Sequence, residues 1–161
     1  HPLPQIDMGF SSLSSFDKAN LKSELRAVIL SRYAALHKGI VVGTGNYDED
    51  HILGYFTKRG DGAVDISPIS HLHKWEVRAL LQYLGWEERF YKKEASAGLW
   101  EGQTDKEELG FSYIEAEIVD SFLYSPFDRV LLRYIGEEKV KNILARYHKN
   151  KYKMEPIPAL L

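Results

Sequence analysis

The sequence predicts an α/β fold, a parallel sheet flanked by helices on both sides and incomplete at its N-terminus, and three observations carry that expectation. Gly39-Ile40-Val41-Val42 is a continuous, largely β-branched run, suited to a parallel strand covered on both faces. Before it, Leu21, Leu25, Val28, Ile29 and Tyr33 recur at helical spacing. After it comes a glycine loop, Gly43-Thr44-Gly45-Asn46, at the carboxyl end of the strand, where open α/β sheets bind ligands.

The elements follow in order. His1-Pro2-Leu3-Pro4 is held extended by its prolines, Gln5 to Met8 has the character of a strand end, and Gly9 to Ser12 of a turn. The first helix spans about Asp17 to His37, with Gly39 just past its end. Asp65 to Ile69 holds another short strand. A second helix runs from about His73 to Leu84, carried by Trp75, Val77, Leu80, Leu81 and Leu84 and closed by Gly85. From Glu94 to Gly110 the periodicity is lost, leaving a loop long enough to suggest function. Tyr113 to Leu123, Asp128 to Tyr134 and Glu137 to Lys149 read as three amphipathic helices before a tail bearing Pro156 and Pro158. The whole, residues 1–161, reads as one domain whose earlier part is missing, because it opens on His1 and its first Met is Met8.

Composition narrows the function classes. Without cysteine there is no disulfide scaffold, thiolate metal site or cysteine nucleophile. The 21 basic and 23 acidic residues are interspersed, giving a formal charge of -2. No field of one sign marks nucleic acid or an anionic membrane as partner, so small-molecule substrates are expected. The apolar runs are too short to span a bilayer and no basic-then-apolar stretch opens the chain; a cytoplasmic protein is the expectation.

Several clusters have the chemistry of a nucleotide site, and each has a plainer alternative. The glycines of Gly43-Thr44-Gly45-Asn46 admit a phosphate to backbone N–H groups, although the same residues build ordinary turns. Asp48-Glu49-Asp50 offers the hard oxygen ligands that Mg2+ requires, or the caps of a following helix. Lys58-Arg59-Gly60-Asp61-Gly62-Ala63-Val64-Asp65 mixes cations and carboxylates around glycines, suiting an anionic substrate or a solvated hairpin tip. Lys74 is an ATP clamp or a surface residue. Ser96-Ala97-Gly98-Leu99-Trp100 has the make-up of a lid over substrate. His148-Lys149 either neutralises a helix dipole or reaches a ligand anion. His71 and His73 as a zinc pair are set aside, since they share a face only in a strand and no third ligand stands nearby in sequence.

Taken in order and spacing, Gly43-Thr44-Gly45-Asn46, Gly54-Tyr55-Phe56-Thr57-Lys58-Arg59-Gly60-Asp61-Gly62, Ser96-Ala97-Gly98-Leu99-Trp100 with Gly102-Gln103-Thr104-Asp105, and His148-Lys149 resemble the ammonia-dependent NAD synthetase family. The likeness runs from about Asn20 into the C-terminal tail, and corresponds to the larger, later part of a family member. It implies the adenine nucleotide alpha hydrolase-like fold of the ATP pyrophosphatase superfamily, usually as a homodimer. The reaction implied is amidation of deamido-NAD to NAD: ATP adenylates the nicotinate carboxylate, and ammonia displaces AMP. By position, Thr44, Lys74 and Ser96 match ATP contacts, and Glu49 matches a carboxylate ligand of Mg2+. Asp50 shares that metal role, because one residue more than in many relatives separates Glu49 from Gly54. Lys58, Asp65, His148 and Lys149 match deamido-NAD contacts.

Two departures accompany the likeness. The family's Ser-Gly-Gly-x-Asp-Ser phosphate loop has no counterpart in these residues. At Glu24 many relatives carry an Arg that contacts deamido-NAD, and Arg26 is the basic residue here that stands in for it. The fragment alone is therefore expected to be inactive. The alternative from another class is a non-catalytic nucleotide-binding or dimerisation module of the same fold.

Overall fold

The computed structural model describes residues 13–124 and 129–159. The strand end expected at Gln5 to Met8, the turn after it and Asp128 lie outside these residues.

Helix α1, Ser15–Leu36, begins at a reciprocal cap. The Ser14 hydroxyl receives the Asp17 backbone N–H, while the Asp17 carboxylate accepts from the Ser14 backbone. It is docked by its polar side. Asn20 accepts a hydrogen bond from the Thr57 hydroxyl at 2.7 Å, and the Ser23 hydroxyl donates to Asp61 at 2.7 Å. The apolar positions that foretold the helix are largely uncovered, Ile29 at 66% exposure and Tyr33 at 64%. Their spacing nevertheless located it to within two residues at each end.

The expected parallel sheet is represented among the described residues by one parallel bridge, Val42 to Ile66. Gly43 N–H donates to the Ile66 carbonyl at 2.7 Å, and Asp65 N–H to that of Val41 at 2.9 Å. Glycine is required at position 43, where a Cβ would sit 2.7 Å from the Ser67 hydroxyl. The pairing thus sets the glycine loop directly beside the 64–67 segment.

Asp48–Leu53 forms a π-helical turn where the sequence reading placed only acids. It closes on Gly54 in the left-handed region, with Gly54 N–H donating to the Glu49 carbonyl. A turn of this kind takes in one residue more than an α-turn.

Helix α2, Lys74–Tyr83, and the short α3, Glu88–Tyr91, follow; α4, Asp105–Leu109, occupies the end of what the sequence suggested was all loop. Helices α5, Tyr113–Tyr124, α6, Arg129–Ile135, and α7, Glu137–Met154, complete the chain, α7 running past its expected end. The core lies among these last elements and the π turn: Ile52 and Leu53 pack with Leu109, Phe111, Ala116, Val119, Ile135 and Ile143. Asn150 on α7 donates to the Leu53 carbonyl at 2.9 Å, and Lys153 to those of Gly54 and Phe56. The π turn is therefore held from beneath while Glu49 and Asp50 remain at the surface of a cleft and Asp48 is buried. No helix of the described residues is long and apolar enough to cross a membrane.

Candidate functional site

A cleft of about 920 Å3 opens between α1, the glycine loop, the π turn, the 96–103 loop and α7. Its size is at the upper end of ordinary ligand pockets.

The floor is the Asn46 to Asp50 segment. Asn46, 2% exposed, accepts at Oδ1 from the backbone N–H groups of Asp48 and Glu49, at 3.1 and 3.3 Å, capping the π turn. Its Nδ2 donates to Glu49 Oε2 at 2.5 Å. Glu49 Oε1 meets Lys74 Nζ at 2.5 Å and the Tyr113 hydroxyl at 3.2 Å. That hydroxyl also lies 2.7 Å from Asp105 Oδ2. Asp105 is 2% exposed, and its other oxygen, Oδ1, is buried without a hydrogen-bond partner. Beside it, Asp50 lies against Gly45, and burial together with the neighbouring Glu49 and Asp61 pushes its carboxyl up to about 6.

Three acids of the cleft, Glu49, Asp50 and Asp105, stand near Lys74, which pairs directly with Glu49. Glu49, Asp50 and the orphan oxygen of Asp105 are hard donors of the kind Mg2+ takes, with phosphate and water oxygens completing its shell. In their present arrangement these three do not converge on one point, and both oxygens of Glu49 are already engaged, by Asn46 on one side and Lys74 on the other.

The 94–104 loop closes one side. Gln103, 7% exposed, accepts from Leu99 N–H at 2.8 Å and donates to Glu108 at 2.8 Å, while Lys22 on α1 reaches the Leu99 carbonyl at 2.7 Å. Ser96 and Trp100 line the cleft from this loop, Trp100 at 43% exposure. On the far wall Arg146 stacks 5.0 Å from the Tyr55 ring with its Nε buried and unpartnered. Burial lowers its proton affinity relative to a free guanidinium, a sign of a cation poorly solvated where it stands.

The residues singled out in the sequence divide accordingly. Thr44, Lys74, Ser96, Glu49, Asp50, Lys58 and Arg26 all line the cleft. Lys58 donates to the Tyr152 carbonyl at 3.0 Å. Arg26 stands one helical turn from Ser23 on the cleft side of α1, whereas Glu24 is not part of the lining. Asp65 lies outside it, its carboxylate accepting the Val41 N–H at 2.7 Å and so bracing the bridged pair. His148 and Lys149 are exposed on α7 and do not reach the cleft.

The family model described as NAD synthase matches residues 5–157. The chain belongs to the NAD synthase family. It is 40% identical to the NH(3)-dependent NAD(+) synthetase of Thermoplasma volcanium over 151 residues, covering 92% of this chain and 60% of that protein. An NMN synthetase structure from Francisella tularensis superposes with a TM-score of 0.78 at 33% identity, covering 94% of this chain and 60% of that one. An NH3-dependent NAD synthetase from Campylobacter jejuni, in complex with the nitrate ion, superposes at 0.66 with 31% identity, over 88% and 54%. The chain thus spans about half the length of the NAD synthase relatives it matches, from 38% to 60%.

For this member of the family the sequence reading missed Asp105 as a floor residue, Tyr113 and Arg146. Their signal was helical register: Ile143, Arg146, Asn150 and Lys153 share one face of α7, and Arg146 is the charged position of that face nearest the core residue Ile143. Asp105 was visible only as part of a loop, and its burial follows from Tyr113, eight residues on, folding back to cover it.

Proposed function

We propose that the protein to which this chain belongs is an ammonia-dependent NAD synthetase, and that the cleft is the part of its active site supplied by these residues. What carries the reading is the Glu49-Lys74 pair: an acid and an ammonium held at 2.5 Å on the floor of a cleft edged by the glycine loop, in a member of the NAD synthase family.

In the proposed reaction the nicotinate carboxylate of deamido-NAD attacks the α-phosphorus of ATP. The bond to the leaving pyrophosphate breaks, and a mixed anhydride forms. Ammonia then adds to the activated carbonyl, AMP leaves, and the proton lost from nitrogen passes to solvent. Adenylation is needed because a carboxylate resists nucleophiles until its oxygen becomes part of a leaving group. Thr44, Lys74 and Ser96 bind ATP, and Lys74 neutralises phosphate charge as it now neutralises Glu49. Glu49 and Asp50 would hold Mg2+, which screens the charge on the departing pyrophosphate. Lys58 and Arg26 are assigned to deamido-NAD, with Arg146 added as a cation for an anionic group in the cleft; Asp65, His148 and Lys149, matched to the same substrate by position, lie outside the cleft and take no part in the reading. The finer architecture belongs to the same reading: the Val42-Ile66 bridge is part of a parallel sheet with helices on both sides, and the protein is a cytoplasmic homodimer.

A second acceptor is favoured by one observation, the 0.78 superposition on an NMN synthetase. On that reading the acid is the mononucleotide counterpart and the product NMN. Supplying the full-length protein with ATP, Mg2+ and ammonium, and each acid in turn, separates the two. Formation of NAD, AMP and pyrophosphate from deamido-NAD supports the first reading. Turnover of the mononucleotide alone replaces it, and binding without AMP release from either acid refutes both. The 161 residues by themselves are expected to give no turnover.

A further inference from the structure

Two short segments run side by side at the edge of the cleft floor, residues 47–49 where the π turn begins and residues 72–74 where α2 begins. Tyr47 N–H donates to the Leu72 carbonyl at 2.8 Å, and the Tyr47 ring meets the His73 ring edge-on at 4.9 Å. Asp48 and Glu49 then take Lys74 at its two ends. Asp48 Oδ2 accepts the Lys74 backbone N–H at 2.6 Å, and Glu49 Oε1 meets Lys74 Nζ at 2.5 Å. One contact fixes where the lysine's backbone stands, the other where its charge lies.

The first turn of a helix leaves backbone N–H groups without partners inside it, and the residue before the helix ordinarily supplies an acceptor. His73 holds that place before α2, and the acceptor for the Lys74 N–H comes from another part of the chain, the Asp48 carboxylate. Asp48 is 1% exposed, and a carboxylate buried to that degree is costly if either oxygen is left bare. The second donor is His73, whose Nδ1 lies 2.7 Å from Asp48 Oδ1. A carboxylate only accepts, so the ring proton sits on Nδ1. On the other side of the ring Nε2 is 3.7 Å from Glu117 Oε1, beyond hydrogen-bond reach, so the Asp48 contact is the one that sets the ring.

We propose that His73 is a positioning residue for ATP use: it holds the Asp48 carboxylate, Asp48 holds the Lys74 backbone, and Lys74 is thereby aimed across the cleft floor. The inference rests on Lys74 being an ATP contact. The spacing of His71 and His73 concealed this part, because the partner of His73 stands 25 residues earlier in the chain.

Steady-state kinetics of the full-length enzyme test the proposal. His73→Phe keeps a ring beside Tyr47 but removes the N–H. It should raise the KM for ATP by roughly 2- to 10-fold, the value of one lost hydrogen bond, with the KM for deamido-NAD unmoved. A loss of folded protein alone would lower the apparent kcat and leave both KM values as they were. His73→Asn, whose side-chain amide donates from nearly the place of Nδ1, should bring the KM for ATP back toward wild type. In a Lys74→Ala background His73→Phe should add nothing, since its effect passes through Lys74.

An ATP KM unchanged in His73→Phe, or KM values raised to the same degree for both substrates, overturns the proposal, as does a full additional effect in the absence of the Lys74 side chain. Lys74→Ala by itself separates the two levels. If it raises the KM for ATP while His73→Phe does not, the proposal alone falls; if it leaves that KM unmoved, the ATP assignment of Lys74 falls and takes the proposal with it. Should His73→Phe fail to fold, His73→Ala takes its place with the same expectations. Should that fail too, absence of a proton on His73 Nδ1 in the nitrogen NMR spectrum of the wild type overturns the proposal.

Discussion

Gly45 and the carboxylate of Asp50 occupy one space: a methyl group on Gly45 would meet Asp50 Oδ2 at 2.3 Å. Asp50 is short and half-buried, so it yields to such a group only by leaving the cleft floor. Gly45→Ala should therefore destabilise the protein by about 1–3 kcal/mol, the usual range for overpacking. Asp50→Ala should relieve most of that cost, which chemical denaturation of the double-mutant cycle would read as a coupling of roughly 0.5–3 kcal/mol. Additive losses would mean that the two residues do not compete.

The same carboxyl makes stability depend on pH. Its ordinary value is 3.8 and the folded value about 6, so between the two the folded state holds a proton that the unfolded chain releases. Stability contributed by protonated Asp50 is complete below the ordinary value and is lost as pH rises through the folded one. Without divalent ions, the advantage of Asp50→Asn over wild type should grow from pH about 4 to pH about 7 and then level off. A constant difference across that range would contradict the assignment.

Tyr113 is the only hydrogen-bond partner found for the Asp105 side chain among the described residues, and it also touches Glu49. Burial and the adjacent acids push its phenol far above the ordinary range, so it remains a donor at every pH the fold survives. Tyr113→Phe leaves a buried carboxylate without a partner and should cost about 1–3 kcal/mol. Thermal melts of Tyr113→Phe and of Tyr113→Phe/Asp105→Asn, the second less destabilised than the first, would check the cause.

Lys74 and Glu49 carry the proposed chemistry. In the full-length enzyme Lys74→Ala should raise the KM for ATP by about tenfold or more, the cost of one charge-assisted contact to phosphate. Glu49→Ala should shift the Mg2+ activation curve to higher concentration. Steady-state kinetics at varied ATP and Mg2+ suffice, and unchanged parameters in both variants would remove these residues from the site.

Much of this arrangement was legible from residue types and spacing. The helical period located α1 and α2, and Gly43 to Gly45, Glu49, Lys58, Lys74 and Ser96 meet in one cleft. What the sequence did not disclose is of two kinds. Burial of the apolar stripe of α1 could not be inferred from its period, since Leu25, Val28 and Ile29 repeat as a core stripe does and yet are exposed. Side-chain direction on α7 was equally closed: Arg146 faces the cleft while His148 and Lys149, within one turn of it, point elsewhere, because only one stripe of a helix can meet a given wall. Of the expected sheet, the described residues hold one isolated bridge, Val42 to Ile66, with Ile40 and Val42 uncovered.

A widened helical turn lets a chain grow by one position without moving what lies on either side. Here Asn46 and Gly54 bracket the segment, Glu49 meets Lys74, and Ile52 and Leu53 enter the core. The wider turn leaves Asp50 in the lining of the cleft floor. Removing one residue, by deleting His51, should shrink the turn to ordinary pitch and rotate Asp50 away, testing whether the enlargement serves the acid or merely tolerates it.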